Sequence, residues 1–178
     1  MPSSSSSSSS SSAASSAASP TYPTLHLRSE VKPYEHRSCL SPNIAKALIE
    51  AGYPLNVEHS STNPDYSRIF RDDEYSAVGA KLVPEGSWVD APTDKTIIIG
   101  LKELSDEDTF PLRHVMVHFA HCYKEQTGWQ NVLKRFIEGG GLLYDLEFLE
   151  DENKRRVAAF GFHAGCKLHL ITNHSLSG

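Results

Sequence analysis

Three segments place ionisable residues directly behind apolar runs. TIIIGLKEL (96–104) delivers Lys102 and Glu103, VMVHFAHC (115–122) delivers His121 and Cys122, and LLYDLEFL (142–149) carries Glu147 close to its end. In water a lysine titrates near ~10.4 and a histidine near ~6.5, and partial burial beside another cation lowers a lysine considerably. Converging on one crevice, Lys102 and His121 would form an acid–base pair, with Glu103 and Glu147 to tune either member. The same spacing is met by solvated residues at the rim of a sheet, the commoner fate of a lysine behind an apolar strand.

Other constellations carry less. His118, His121 and Cys122 read H-x-x-H-C, but residues three apart on a strand point to opposite faces, so no zinc site is expected there unless the segment is helical. The glycines at 139–141 follow a helical pattern and read as its stop rather than as a phosphate cradle. GFHAG (161–165) lacks the strand–GxGxxG–helix context, and no dinucleotide fingerprint is evident anywhere in the chain. Arg37, in KPYEHR, and the pair Arg155–Arg156 have the planar fork that suits carboxylate ligands; each alone also fits a surface position.

The elements that would position these residues alternate. LHLRS (25–29) reads as a short strand. SPNIAKALIEAGY (41–53) reads as a helix with Ser41 at the N-cap, Pro42 at the first helical position, a stripe of Ile44, Ala47, Leu48 and Ala51, and Gly52 as stop. PLNVEHS (54–60) is the next strand, 65–83 holds a second helix and a short strand at Lys81–Val83, and 84–95 is a turn-rich connector. TIIIGL, VMVHFAHC, the helix WQNVLKRFIEGGG, LLYDLEFL and RVAAFGF complete the regular part. Strands separated by single helices, with near-continuous apolar runs, predict a doubly wound α/β domain built on a mostly parallel sheet covered on both faces. In such sheets ligands sit outside the carboxyl ends of the strands, where the loaded residues fall.

Composition narrows the class. The first 24 residues carry no charged side chain and are mostly serine, alanine and proline, so a disordered leader is expected over 1–24. This leader has neither the apolar core of a secretory signal nor the arginines of a transit peptide, and no run is long and apolar enough to span a bilayer. With 17 basic against 22 acidic side chains there is no electrostatic footprint for nucleic acid. Cys39, Cys122 and Cys166 are odd in number and widely spaced, which suits free thiols in a reducing compartment. A soluble cytoplasmic domain over 25–165, with an atypical tail at 166–178, is the expectation.

The stretches LHLRSEVKPYEHRSCLSP, IIIGLKEL, TFPLRHVMVHFAHCYKEQTGWQNVLKRF and LLYDLEFLEDENKRRVAAFGF resemble the amino-terminal half of the saccharopine dehydrogenases, NAD-dependent and lysine-forming. Alanine dehydrogenases and nicotinamide nucleotide transhydrogenases are similar at the level of fold. The resemblance covers 25–165 and implies a Rossmann-like substrate domain, oxidation of saccharopine with hydride passing to NAD, and hydrolysis of the imine to lysine and 2-oxoglutarate. It implies Lys102 as the base that takes the amine proton and His121 as the acid–base group of imine hydrolysis. Arg37 and Arg156 match substrate carboxylate clamps, Gln126 and Phe160 match substrate-contacting positions, and Arg155 matches a residue on the NAD side. Glu103 and Glu147 match carboxylates that tune the basic pair. The expected partners are small molecules, with neither nucleic acid nor membrane, and the family is expected to be monomeric. After GFHAG the family continues into a nucleotide-binding domain, whereas this chain reads CKLHLITNHSLSG. The expectation is therefore a truncated chain with most of the NAD site in the missing domain and little turnover of its own. The alternative is a non-catalytic module that holds a dicarboxylate weakly or pairs with a full-length chain.

Overall fold

The computed structural model describes residues 22–105, 107–122 and 127–158. Six strands form one sheet: β1 (Thr24–Leu27), β2 (Leu55–Glu58), β3 (Lys81–Val83), β4 (Thr96–Ile99), β5 (Val115–His118) and β6 (Leu142–Asp145). All pairings are parallel, in the order β3-β2-β1-β4-β5-β6. The order reverses between β1 and β4, so a crevice opens beyond their carboxyl ends.

Alternation along each strand divides the core into two layers. Leu25, Leu27, Leu55, Val57 and Ile99 face α1 (Pro42–Glu50) and α2 (Asp72–Ala77), where Ala45 and Tyr75 close the layer. Ile98 and Met116 face the other way, onto Trp88 of the 3-10 turn Ser87–Asp90 and Phe136 of α3 (Trp129–Gly139). Each such side chain contributes about 1.5–3 kcal/mol on leaving water. On this second face His26 and Glu58 occupy positions that alternation would give to apolar residues. The imidazole Nε2 lies 3.1 Å from Glu58 Oε1, and the carboxylate also accepts the backbone N–H groups of Ser29 and Trp88. Burial raises the Glu58 carboxyl, but His26 and these N–H groups outweigh it and hold it below its ordinary value.

Several local expectations change. Ser41 caps α1 and Gly52 ends it at φ 96°, as its residue types demand, but the buried stripe runs through Ala45, Leu48 and Ile49. Ile44 is 52% exposed. Two overlapping 3.6-residue stripes were available, and packing onto β1 and β2 selected the one carrying Ala45, whose small side chain allows close approach. The chain from β3 to β4 makes only a 3-10 turn, and β4 leads to β5 without a helix among the described residues. On the α1 face, Leu142, Tyr144, Phe148 and Leu149 remain about half exposed, so cover over β6 is incomplete among those residues. LLYDLEFL is a strand only to Asp145 and then turns as a 3-10 helix, Leu146–Phe148. Of RVAAFGF, Arg156 makes a single antiparallel bridge with Glu150, and 159–162 lie outside the described residues. β1 begins at Thr24, the last residue of the expected leader, and Tyr22 packs against the Tyr53 ring at 4.5 Å.

Candidate active site

The crevice at the order reversal is walled by the chain leaving β1 and the chain leaving β4. Arg28 follows β1 and its side chain is completely buried. Its guanidinium lies across Gly100 and donates to the carbonyls of Ser29 and Lys102. Glu30 stands beside it, 3.6 Å away, and accepts the N–H groups of Leu101 at 2.7 Å and Lys102 at 3.0 Å. A buried ion pair thus fixes the backbone at Lys102 from both its donor and its acceptor side. Among the described residues the Lys102 ammonium makes no ion pair. Its charge reaches the buried Glu35 carboxylate, which is held below the usual range chiefly by hydrogen bonds from Arg37 at 2.7 and 2.5 Å. Arg28, Glu30, Glu35 and Arg37 line one cleft with Ser38, Ser60, Tyr66 and Arg68.

A chain of alternating charges crosses the ends of β4, β5 and β6. Lys32 Nζ is 3.6 Å from Glu103 Oε2; Glu103 Oε1 is hydrogen-bonded to His121 Nδ1; His121 Nε2 is 3.8 Å from Glu147 Oε2; and Glu147 Oε1 meets Arg156 Nη2 at 2.8 Å. One imidazole nitrogen is therefore fixed, while the other lies beyond hydrogen-bond distance of Glu147 and can exchange a proton with a third group. The Phe119 ring stacks near the imidazole, and His121 itself is left-handed, φ 53°, a conformation uncommon outside glycine. His118 is buried three residues earlier, at the end of β5. Burial first, then the charge of Arg28, drives it down to about 3, so it is a neutral neighbour of this cluster. Cys122 is pushed up to about 11 by burial and by Asp145 and Glu103, which keeps it a thiol.

The matching family model is that of the alanine dehydrogenase/PNT N-terminal domain, over residues 26–167. The chain belongs to this family. It is 63% identical over 141 residues to a saccharopine dehydrogenase (NAD(+), L-lysine-forming) of Neurospora crassa, covering 79% of this chain and 36% of that protein. A protein of the same name from Candida glabrata is 59% identical over 142 residues, 80% of this chain and 37% of its own length. The chain thus spans about a third of the length of the curated relatives it matches. Among solved structures, an L-alanine dehydrogenase superposes with a TM-score of 0.59 at 19% identity, over 74% of this chain and 34% of that one. A transhydrogenase from Sinorhizobium meliloti gives 0.52 at 16%, over 71% and 35%. These two likenesses show the shared fold.

Within this family domain the sequence-predicted residues separate into groups. Glu103, His121, Glu147 and Arg156 meet, and Lys102 and Arg37 stand on the adjoining walls of the same sheet edge. Arg155 turns outward to Asp151, 3.5 Å away, and is mostly exposed. Gln126 and Phe160 lie outside the described residues. Sequence reasoning missed Arg28, Glu30, Lys32 and Glu35. Their signal was a run of charged residues directly behind the first strand, the wall opposite β4 once the strand order is known.

Proposed function

We propose that this chain is the substrate-binding part of an NAD-dependent, lysine-forming saccharopine dehydrogenase. The observation that carries the reading is the Lys32–Glu103–His121–Glu147–Arg156 chain beside Lys102 at the sheet edge, in a sequence this similar to proteins of that name. Lys102 takes the proton of the substrate's secondary amine and exposes its lone pair. His121, anchored through Nδ1, then uses Nε2 to move protons while water adds to the imine carbon and the amine leaves. Arg37 and Arg156 bind the substrate's carboxylates; each already holds a glutamate, Glu35 and Glu147, so a substrate carboxylate joins or displaces that partner.

NAD would accept the hydride. The described residues do not form its pyrophosphate cradle: the first strand-to-helix connection, 28–41, contains no glycine and is filled by Arg28, Glu30, Glu35 and Arg37. In this proposal the cofactor is gripped elsewhere, and these residues bind and deprotonate the substrate. The cytoplasm, where thiols stay reduced, is the proposed compartment, and a monomer the proposed state.

The test is titration of the 178-residue protein with saccharopine, followed by amide shifts and by NADH absorbance after NAD is added. Shifts at Arg37, Lys102, His121 and Arg156, weakened at least tenfold by Arg37→Ala, are expected. Shifts confined to other surfaces, or none at millimolar ligand, refute the proposal. Because the chain spans about a third of its relatives' length, binding without NADH production is the outcome expected of a substrate-binding part, and NADH formed by this chain alone would refute the statement that the cofactor is gripped elsewhere.

A further inference from the structure

Asp145 closes β6 opposite His118 of β5, and its side chain is spent on backbone. The residue is 9% exposed. Oδ1 accepts the N–H of Ala120 at 3.3 Å and of Glu147 at 3.0 Å, and Oδ2 accepts the N–H of Cys122 at 3.3 Å. Two of these donors bracket His121. The third opens the 3-10 turn that carries Glu147. The bracketed residue is the left-handed one, a conformation that works against any side chain with a Cβ. A carboxylate suits this position because it offers acceptors on both oxygens, whereas an amide would aim its own N–H groups at one of the backbone donors.

We propose that Asp145 is the positioning residue of His121, holding it left-handed so that its ring reaches Glu103 and Glu147 together. From the proposed function this takes only that His121 is the working imidazole. Without the bracket, the chain after β5 relaxes to negative φ and swings the imidazole off Glu103.

A capping role for the turn at Leu146 alone would also stabilise the fold, so the test must separate the two. Urea unfolding of the full chain is measured for Asp145→Asn, His121→Gly and the double variant, a double-mutant cycle. Glycine accepts the left-handed conformation freely, so Asp145→Asn should lower the midpoint about half as much, or less, in the His121→Gly background. In parallel, the imidazole N–H proton shared with Glu103, displaced downfield by that hydrogen bond, should vanish in Asp145→Asn while core methyl signals persist. Additive midpoint losses, or an unmoved N–H resonance, overturn the proposal. Should Asp145→Asn not fold, Asp145→Ser, which keeps one acceptor, takes its place in the cycle. Neither readout uses saccharopine or NAD, so failure of the proposed function leaves this result interpretable.

Discussion

Glu103 and His121 stand on neighbouring strand ends and share a hydrogen bond between Oε1 and Nδ1. Burial by itself raises the Glu103 carboxyl; its own backbone N–H, the imidazole and Lys32 outweigh burial and keep it below its ordinary 4.5. Removing the ring in His121→Ala should therefore raise this carboxyl, as read by carbon-13 titration of labelled glutamate. The linkage has a sign. A folded value below the unfolded one means stabilisation that is complete above about 4.5 and is lost as pH falls through the folded value. Glu103→Gln should flatten acid unfolding in that range. An unmoved Glu103 titration in His121→Ala would show that the contact does not govern the carboxyl.

Gly100 owes its identity to Arg28. A Cβ at Gly100 would stand 2.4 Å from Arg28 Nε and 2.7 Å from Cζ. The guanidinium is held in this place by Glu30 and by two carbonyls, so making room for a Cβ means giving up some of those contacts. Gly100→Ala should displace Arg28 and weaken this buried ion pair, at a cost of up to about 3 kcal/mol, measurable by urea unfolding. Lys102 should also lose its fixed backbone, so amide exchange at Leu101 and Lys102 should accelerate more than at β2. A fully stable Gly100→Ala protein would mean that Arg28 has another seat.

How far these features were legible follows from their range along the chain. The apolar runs and the Ser41–Pro42 start are local, and they announced a parallel α/β sheet with its loaded residues at the carboxyl edge. The strand order is non-local, so the wall formed by Arg28, Glu30 and Glu35 stayed hidden: in LHLRSE an arginine reads as solvated, and only Gly100, some seventy residues on, makes room for it. The α1 stripe differs from expectation because Ile44 and Ala45 head two equally good stripes. Opposite faces for the two histidines of H-x-x-H-C would require an unbroken strand. β5 ends at His118, and the left-handed turn at His121 cancels strict alternation beyond it.

His118 makes the fold sensitive to mild acid. It stays neutral in the folded protein down to about 3, through burial and the facing charge of Arg28, whereas an unfolded histidine protonates near 6.5. Glu103, which favours protonation, and His121, which opposes it, are the other titratable groups acting on it. Between about 6.5 and 3 the unfolded chain holds the extra proton, so stability falls as pH falls, by about 1.4 kcal/mol per unit for one proton. His118→Gln removes that contribution. Its unfolding free energy between about pH 6 and 4 should be flatter by about 1 kcal/mol per unit, and an unchanged slope would place the acid sensitivity elsewhere.

The three glycines that end α3 separate two causes of glycine dependence. Gly140 has φ 71° and open space where a Cβ would go. Gly140→Ala meets only the left-handed penalty, about 1 kcal/mol, and Gly140→Asn less. Gly139 has an ordinary φ, but its Cβ would lie 2.0 Å from the Leu112 carbonyl oxygen and 2.4 Å from the carbonyl carbon. That collision is with backbone, which no rotamer change relieves. The same stretch is pinned by Leu112 N–H to the Arg135 carbonyl at 2.9 Å and by Gly141 N–H to the Leu112 carbonyl at 3.0 Å. Gly139→Ala should cost upwards of about 3 kcal/mol by denaturant unfolding and should disturb β5 and β6 together. Equal costs at 139 and 140 would mean that conformational freedom, and not the close passage of the 112–114 segment, dictates both residues.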